Sequence, residues 1–340
     1  MKKQSKAKYD VENHTDIVNR LRQNKEIDLI KLSLIKRELN CKWGTDIFKA
    51  LKINRTVTYL YIHDCDINTD QAYILSNALE LNETITTLIL SRIFINSDGE
   101  IALSNALLVN KTLIVLELYM NGLGNQGIIH ICNSLQLNKT ITKLTIASNF
   151  MHGVETDSIE ISTAFANLLR VNKTITFIDI SYNILEDSGA IIIAEALEFN
   201  NTLKTLDIGD NNFNDEGIIA IANMLKINRT LEKLILDISY FTELGSAALV
   251  DALQINNTIM EINSKNIPIE EHNEIITSSL LRNKMIYNSF WSAKKHHIFP
   301  QNCHTTIMCT LLSAGRFLSA LPEEIWRVHI LTYLRYSDFT

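Results

Sequence analysis

The amino-acid sequence predicts an α/β solenoid, a right-handed horseshoe with a parallel sheet on its concave side and helices outside. Three observations predict it. An Asn-x-Thr triplet returns at a fixed interval, an apolar pattern typical of a buried strand follows each triplet, and a helix-like apolar stretch precedes each one. Because such an array grows in one dimension, a length of 340 residues does not imply two globular domains.

The triplet sets the repeat length. It begins at Asn54, Asn82, Asn110, Asn138, Asn172, Asn200, Asn228 and Asn256, at intervals of 28 residues with one interval of 34. A weaker unit begins at Asn24, 30 residues before Asn54. The triplet is also the N-glycosylation acceptor, but its fixed position within a repeat favours a structural role. Asn tolerates the left-handed backbone that ends helices and Thr suits a strand, so the triplet predicts a helix end followed by a strand start.

The predicted strands have apolar residues at Leu-x-x-Leu-x-Leu spacing, as at Leu113, Leu116 and Leu118, and nine such patterns follow in register. The eighth position after the first apolar residue is polar or Cys, and we expect its side chain to bond backbone groups in the turn. Residues of this kind are Cys65, Asn121, Asn149, Asn183 and Asn211.

The predicted helices precede the triplets. A leucine lies three residues before each anchoring asparagine, as Leu135 does before Asn138. A glycine recurs eleven residues before five of the anchors, and we expect it to let the loop turn tightly into the helix. These glycines are Gly99, Gly127, Gly189, Gly217 and Gly245.

The complete unit resembles the 28-residue leucine-rich repeat of ribonuclease inhibitor, a subtype that also occurs in the Ran GTPase-activating protein and in NOD-like receptors. The resemblance covers residues 24–283, about nine units. Residues 1–23 are then predicted to form an N-terminal capping helix, and residues 284–340 a helical C-terminal segment. Strands stack more closely than helices pack, at about 4.8 Å against about 8–10 Å, so the helical side is the longer arc. The resemblance implies a non-enzymatic scaffold that binds another protein.

Side chains between the strand leucines are predicted to face the concavity. The central row is Lys31, Tyr61, Ile89, Glu117, Thr145, Asp179, Asp207, Ile235 and Asn263. Candidate partner-binding residues are Tyr61, Glu117, Tyr119, Phe177, Asp179, Tyr182, Asp207 and Asp210, with His152 in the six-residue insertion of the long unit. Exposed aromatics beside acids suit a protein-binding surface, and the acids favour a basic partner. A solvated face with incidental aromatics and an insertion from neutral length drift are the alternatives.

The C-terminal segment is similar to the opening of an F-box, which docks on the Skp1 adaptor of a ubiquitin ligase. The matching residues are Leu321, Pro322, Glu324, Ile325, Ile330, Leu331, Leu334 and Asp338. The resemblance implies adaptor docking through Leu321, Pro322, Ile325, Ile330, Leu331 and Leu334. Only about the first half of an F-box is present, at the end of the chain. A structural cap on the array is the alternative.

Composition excludes several function classes. The net charge of −6 and pI of 5.9 give no reason to expect nucleic acid. No run of about 18 apolar residues occurs, so neither a membrane span nor a membrane partner is expected. The basic first residues precede no apolar segment and the five cysteines are scattered, so a cytoplasmic or nuclear protein with reduced thiols is expected.

No catalytic or cofactor site is predicted. The cluster His296, His297, Cys303, His304 and Cys309 matches no ordinary zinc spacing, so no metal is expected. No phosphate loop or nucleophile motif occurs. An enzyme-associated alternative is activation of a GTPase of the Ran type, because Arg92 follows a strand as the family's loop arginine does, although the family's acidic tail is missing.

Overall fold

The structure, a computed structural model, describes residues 14–24, 31–35, 39, 41–149, 158–237, 239–264 and 267–294. The chain divides into two compact units, Met1–Leu280 and Leu281–Thr340. In the first, strands and helices alternate. The strands are β1 Lys31–Ile35, β2 Tyr59–His63, β3 Thr87–Ser91, β4 Val115–Tyr119, β5 Lys143–Thr145, β6 Phe177–Asp179, β7 Thr205–Asp207, β8 Lys233–Ile235 and β9 Glu261–Asn263.

The helices are α1 His14–Gln23, α2 Lys42–Ile53, α3 Thr69–Leu81, α4 Ser97–Val109, α5 Gly124–Leu137, α6 Ser158–Val171, α7 Glu186–Glu198, α8 Asp215–Ile227, α9 Glu243–Ile255 and α10 Glu270–Lys294. In the second unit, residues 281–294 are helical. The predicted division at residues 23 and 283 stays a prediction.

The nine strands form one open parallel sheet in sequence order, which confirms the predicted α/β solenoid. Its register places Ser33, Tyr61, Ile89, Glu117, Thr145, Asp179, Asp207, Ile235 and Asn263 in one row. The prediction was wrong at the first strand, where Lys31 pairs with Tyr59 and Ser33 takes the central place. The first unit is two residues longer, and a shift of two keeps a side chain on the same face but moves it to the next row.

The core lies between the sheet and the helices. Alternate strand residues such as Leu116 and Leu118 are fully buried, as is Leu135 of α5, and one apolar cluster runs from Val18 to Ile276. A single strand–helix unit could not bury these faces, so each repeat depends on its neighbours.

The anchoring asparagines end the helices by a different mechanism from the predicted one. The backbone of Asn138 is extended, with φ −66° and ψ 134°, and only Asn24 has the left-handed backbone among the predicted anchors, with φ 52°. The Asn138 Nδ2 atom donates to the carbonyl oxygens of Leu107 (2.8 Å) and Asn110 (3.2 Å) in the preceding repeat. Its Oδ1 atom accepts from the amides of Thr140 and Ile141, both at 2.9 Å. The triplet is therefore a turn that ties two repeats together, and β5 begins three residues after its threonine.

The second asparagine position behaves as predicted. The Asn121 Nδ2 atom donates to the Leu90 carbonyl oxygen (2.8 Å), and its Oδ1 atom accepts from the Ile93 amide (3.0 Å). In the earlier unit, the Cys65 thiol donates to the Leu34 carbonyl oxygen at 3.3 Å. The sheet is therefore bordered by polar ties at both ends of each strand.

The recurring glycines serve close helix packing and not the predicted tight turn. None of the five has a left-handed backbone, and Gly99 lies inside the first turn of α4. A Cβ atom added at Gly99 would lie 2.8 Å from the Ala72 Cβ atom of α3, and one at Gly217 would lie 2.6 Å from the Asp187 Oδ1 atom of α7. The position is glycine because a side chain of the preceding helix occupies the space.

The carboxyl group of Glu100 contacts the same kind of position, beside Gly127. Glu100 is only 4% exposed, and burial raises its pKa from 4.5 to about 7. Folding therefore disfavours its ionised form. The stability of the protein is fully present below the ordinary glutamate pKa and is partly lost as the pH rises through about 7.

We expect Glu100→Gln to raise the free energy of unfolding at pH 8 by about 2 kcal/mol and to leave it nearly unchanged at pH 5, because the amide carries no charge to desolvate. Urea unfolding at the two pH values measures this. The exposed Glu80→Gln on α3 is the matched control and should change neither value by more than about 0.5 kcal/mol. An equal effect of Glu100→Gln at both pH values would contradict the assignment.

Candidate protein-binding face

The sheet face is the side of the sheet turned away from the helices, and it corresponds to the predicted concave face. Each strand places alternate residues there, such as Tyr59, Tyr61 and His63 of β2, all of them half-buried. The parallel register aligns equivalent residues of neighbouring repeats in rows. The face is thus a rigid surface whose chemistry changes along the array.

At the N-terminal end of the sheet face, the rings contact one another and a cation. Tyr61 stacks on His63 with ring centroids 5.6 Å apart, and the Lys31 Nζ atom lies 5.1 Å from the centroid of the Tyr59 ring. Tyr61, predicted to bind a partner, therefore has one ring face packed against its own strand.

In the middle of the face, two predicted site residues interact with the same lysine. The Lys143 Nζ atom lies 2.6 Å from Glu117 Oε1 and 5.1 Å from the centroid of the Phe177 ring. The charge of Glu117 is neutralised by this ion pair, and one face of Phe177 is covered. Both residues are on the predicted face, but neither presents an unpaired group to a partner.

Further along, the acids are not neutralised in this way. Among the described residues, Asp179, Asp207 and Asp210 form no ion pair with lysine or arginine. Asp179 Oδ1 accepts from the Ser181 amide (3.1 Å) and hydroxyl (2.7 Å), and Asp207 Oδ1 accepts from the Gly209 amide (3.1 Å). Local hydrogen bonds hold these carboxylates in place and leave their charge uncompensated.

Burial raises the pKa of Asp207 to about 6, and the charges of Asp179, Asp237 and Asp210 raise it further against the lowering effect of the Gly209 amide. The shift reports how closely the acids are grouped. Asp237 belongs to this group and was missed by the sequence analysis, although it occupies the strand-end row of Tyr119 one repeat after Gly209. A cation bound here would relieve the mutual repulsion.

Two tyrosines lie beside the acids. Tyr119 is 40% and Tyr182 is 51% exposed. A hydrogen bond to Asp210 and the charge of that carboxylate raise the pKa of Tyr182. We call the five residues Tyr119, Asp179, Tyr182, Asp207 and Asp210 the tyrosine–aspartate patch.

Tyr182 is held in place by a turn that recurs after each strand. It has φ 58°, and its amide donates to the Gly209 carbonyl oxygen of the next repeat at 3.1 Å. The same left-handed position is occupied in five other repeats by Asp64, Arg92, Met120, Ser148 and Asp210, with φ between 53° and 56°. Sequence reasoning missed it because none of the six is glycine or asparagine, the residues that usually mark this conformation.

Other sequence predictions concern residues elsewhere. Arg92 is close to Asp64, with Nε 3.6 Å from Oδ1, so the arginine of the GTPase-activating alternative has a partner within its own surface. His152 and the predicted adaptor-docking residues Leu321, Pro322, Ile325, Ile330, Leu331 and Leu334 lie outside the described residues. Within the described part of the chain, no three His, Cys, Asp or Glu residues are grouped as metal ligands, and no helix is long and apolar enough to cross a membrane.

Comparison with known proteins agrees with the repeat. Residues 171–194 and 199–222 match the Leucine Rich repeat family. A comparison with curated protein sequences found no significant match.

Several solved structures are similar at low identity. Leiomodin-1 actin-binding site 2 is 17% identical with a TM-score of 0.44, over 51% of this chain and 97% of that one. The tropomodulin C-terminal domain of Caenorhabditis elegans is 15% identical with a TM-score of 0.42, over 47% and 95%. The leucine-rich repeat-containing protein LegL7 of Legionella pneumophila is 17% identical with a TM-score of 0.41, over 73% and 89%. At these values none of the three indicates a function for this chain.

Proposed function

We propose that this protein is a non-enzymatic scaffold that binds a basic partner protein through the tyrosine–aspartate patch of its sheet face. The observation that supports this is the contrast along the face. Glu117 is paired with a lysine, whereas Asp179, Asp207 and Asp210 form no such pair among the described residues and lie beside exposed tyrosines. Tyrosine and unpaired charge together are typical of the residues that contribute most to binding.

The patch suits a partner that brings arginine or lysine. The carboxylates are held by backbone amides and a serine, so little side-chain entropy is lost on binding. The tyrosine rings supply apolar contact area around the charged centre and limit its access to water. Because the pKa of Asp207 is about 6, protonation of its carboxyl group should weaken binding as the pH falls through that value.

We expect the variant Tyr182→Ala, Asp207→Asn, Asp210→Asn to bind the partner at least about 30-fold more weakly, a loss of about 2 kcal/mol. The matched control is Tyr73→Ala, Asp70→Asn, Asp98→Asn, which makes the same chemical changes at exposed positions of α3 and α4. Quantitative affinity purification with the wild type and both variants identifies proteins lost only with the patch variant. Isothermal titration of the purified partner at pH 7.5 and pH 5 then measures affinity. Equal affinity for wild type and patch variant would refute the proposal.

The predicted adaptor role is an alternative use of the same scaffold. The F-box-like residues lie outside the described part, so it rests on the sequence resemblance. Recovery of Skp1, lost on Leu321→Asp with Ile325→Asp, would support it.

A further inference from the structure

A row of exposed apolar side chains follows the helix ends of the array. The residue directly before each anchoring asparagine is apolar in all eight regular units and is 47–75% exposed. We call it the apolar edge row. Its members are Ile53, Leu81, Val109, Leu137, Val171, Phe199, Ile227 and Ile255.

The core does not account for this row. The neighbouring leucines, such as Leu135 two residues before Leu137, fill the core and are fully buried, and the anchors such as Asn138 are buried as well. The edge residue between them points outward, with Leu137 64% exposed. Single exposed apolar residues need no explanation, but equivalent positions of consecutive repeats are neighbours in space and form a continuous strip.

A second row, of cations, runs beside it. The residue directly after the anchor is basic in five of the eight units and exposed in each, namely Arg55, Lys111, Lys139, Lys173 and Arg229. One of the eight positions is acidic, Glu83, and it lies 3.9 Å from Arg55. This row has a net charge of +4 in a chain whose net charge is −6. Among the described residues, Lys111, Lys139 and Lys173 form no ion pair, so their charges face solvent.

The combination of the two rows restricts the occupant. A second copy of the same edge would bring cations against cations. A nucleic acid would use the cations but not eight aliphatic or aromatic neighbours, most of them Ile, Leu and Val. Protein interfaces are typically depleted in lysine and enriched in aromatic residues, and this edge has the reverse composition. Apolar side chains flanked by Lys and Arg are typical of surfaces that lie on an anionic bilayer.

We propose that the apolar edge row and the adjacent cation row form a peripheral docking surface for an anionic lipid bilayer. The aliphatic side chains enter the boundary between headgroups and acyl chains, and the cations contact the anionic headgroups. The sequence gave no reason to expect a membrane partner because it lacks a segment long enough to span one, and peripheral docking needs none. The sheet face is made of strand residues and the edge of residues at helix ends, so the two surfaces are separate.

Sedimentation of the full chain with vesicles tests the proposal. The probes are phosphatidylcholine vesicles with and without about 30% phosphatidylserine. We expect binding only to the phosphatidylserine vesicles, and at least about tenfold weaker partitioning for Leu137→Ser, Val171→Ser, Ile227→Ser. The matched control is Ile101→Ser, Ile159→Ser, Leu244→Ser, which removes equally exposed apolar side chains (41%, 54% and 67%) near the other ends of helices. It should partition as the wild type does.

A third variant separates charge from apolar contact. Lys111→Gln, Lys139→Gln, Lys173→Gln should also weaken partitioning, and added salt should weaken that of the wild type. Circular dichroism melting checks that each variant is folded. The proposal is overturned if the wild type does not bind phosphatidylserine vesicles, or if the apolar variant binds as well as the wild type. Concentration-dependent self-association that only the apolar variant loses would instead assign the edge to a second copy.

Discussion

Replacing Asn138 by alanine is expected to lower the free energy of unfolding by about 4 kcal/mol. The side chain is 3% exposed and makes four hydrogen bonds to backbone groups, two to carbonyl oxygens of the preceding repeat and two from amides of its own. A buried backbone group left without a partner costs about 1–3 kcal/mol. Alanine can replace none of these bonds, and the turn is too close to the core for water to replace them all. Urea unfolding of the wild type and variant measures the loss.

A control on the same helix isolates the effect of the anchor. Asn133 lies on α5 with its side chain exposed, and its Oδ1 atom accepts only from the Gln136 side chain among its printed contacts, at 3.2 Å. Asn133→Ala should change the free energy of unfolding by less than about 0.5 kcal/mol. Asn138→Asp gives a second comparison, because it keeps the acceptor for Thr140 and Ile141 but loses the donor and buries a charge. If Asn138→Ala were as stable as Asn133→Ala, the triplet would not tie the repeats together.

The anchor shows how far periodicity predicts this fold. The interval of 28 residues predicts that a helix ends and a strand follows, and both occur around Asn138. It does not predict the mechanism, because a left-handed cap and an extended turn with side-chain bonds require the same residue type at the same position. The difference lies in partners one repeat away, such as the Leu107 carbonyl group. Those partners become visible only when the repeats are stacked.

The sheet face was predictable in position and less so in chemistry. Alternation along the strands places Glu117, Phe177 and Asp207 on it correctly, because side chains alternate with a period of two. The register error at Lys31 came from the one early unit with a different length. The pairing of Glu117 with Lys143 could not be inferred from a list of exposed residues, since it depends on which lysine lies on the next strand. The tyrosine–aspartate patch follows from what such pairs leave over.

Gly99→Ala is expected to destabilise the protein by about 3 kcal/mol, although alanine is the better helix former by about 1 kcal/mol. The new Cβ atom would lie 2.8 Å from the Ala72 Cβ atom and closer still to the Ile95 side chain. Neither neighbour can rotate away, because Ala72 is a methyl group on the adjacent helix and Ile95 is a branched, buried side chain. The Asn96 side chain, which accepts from the Gly99 amide at 3.0 Å, would also be displaced from its capping position.

Two further variants distinguish close packing from backbone freedom as the reason for this glycine. Gly124 has φ +59° and open space around its Cα atom, so Gly124→Ala should cost only the left-handed backbone preference, about 1 kcal/mol. Ala72→Gly removes the methyl group that the new Cβ atom would meet, so the double variant with Gly99→Ala should be more stable than the sum of the two single effects by at least about 1 kcal/mol. Additive effects in urea unfolding would mean that α3 and α4 do not require glycine for their approach, and that the recurring glycines act within their own helices.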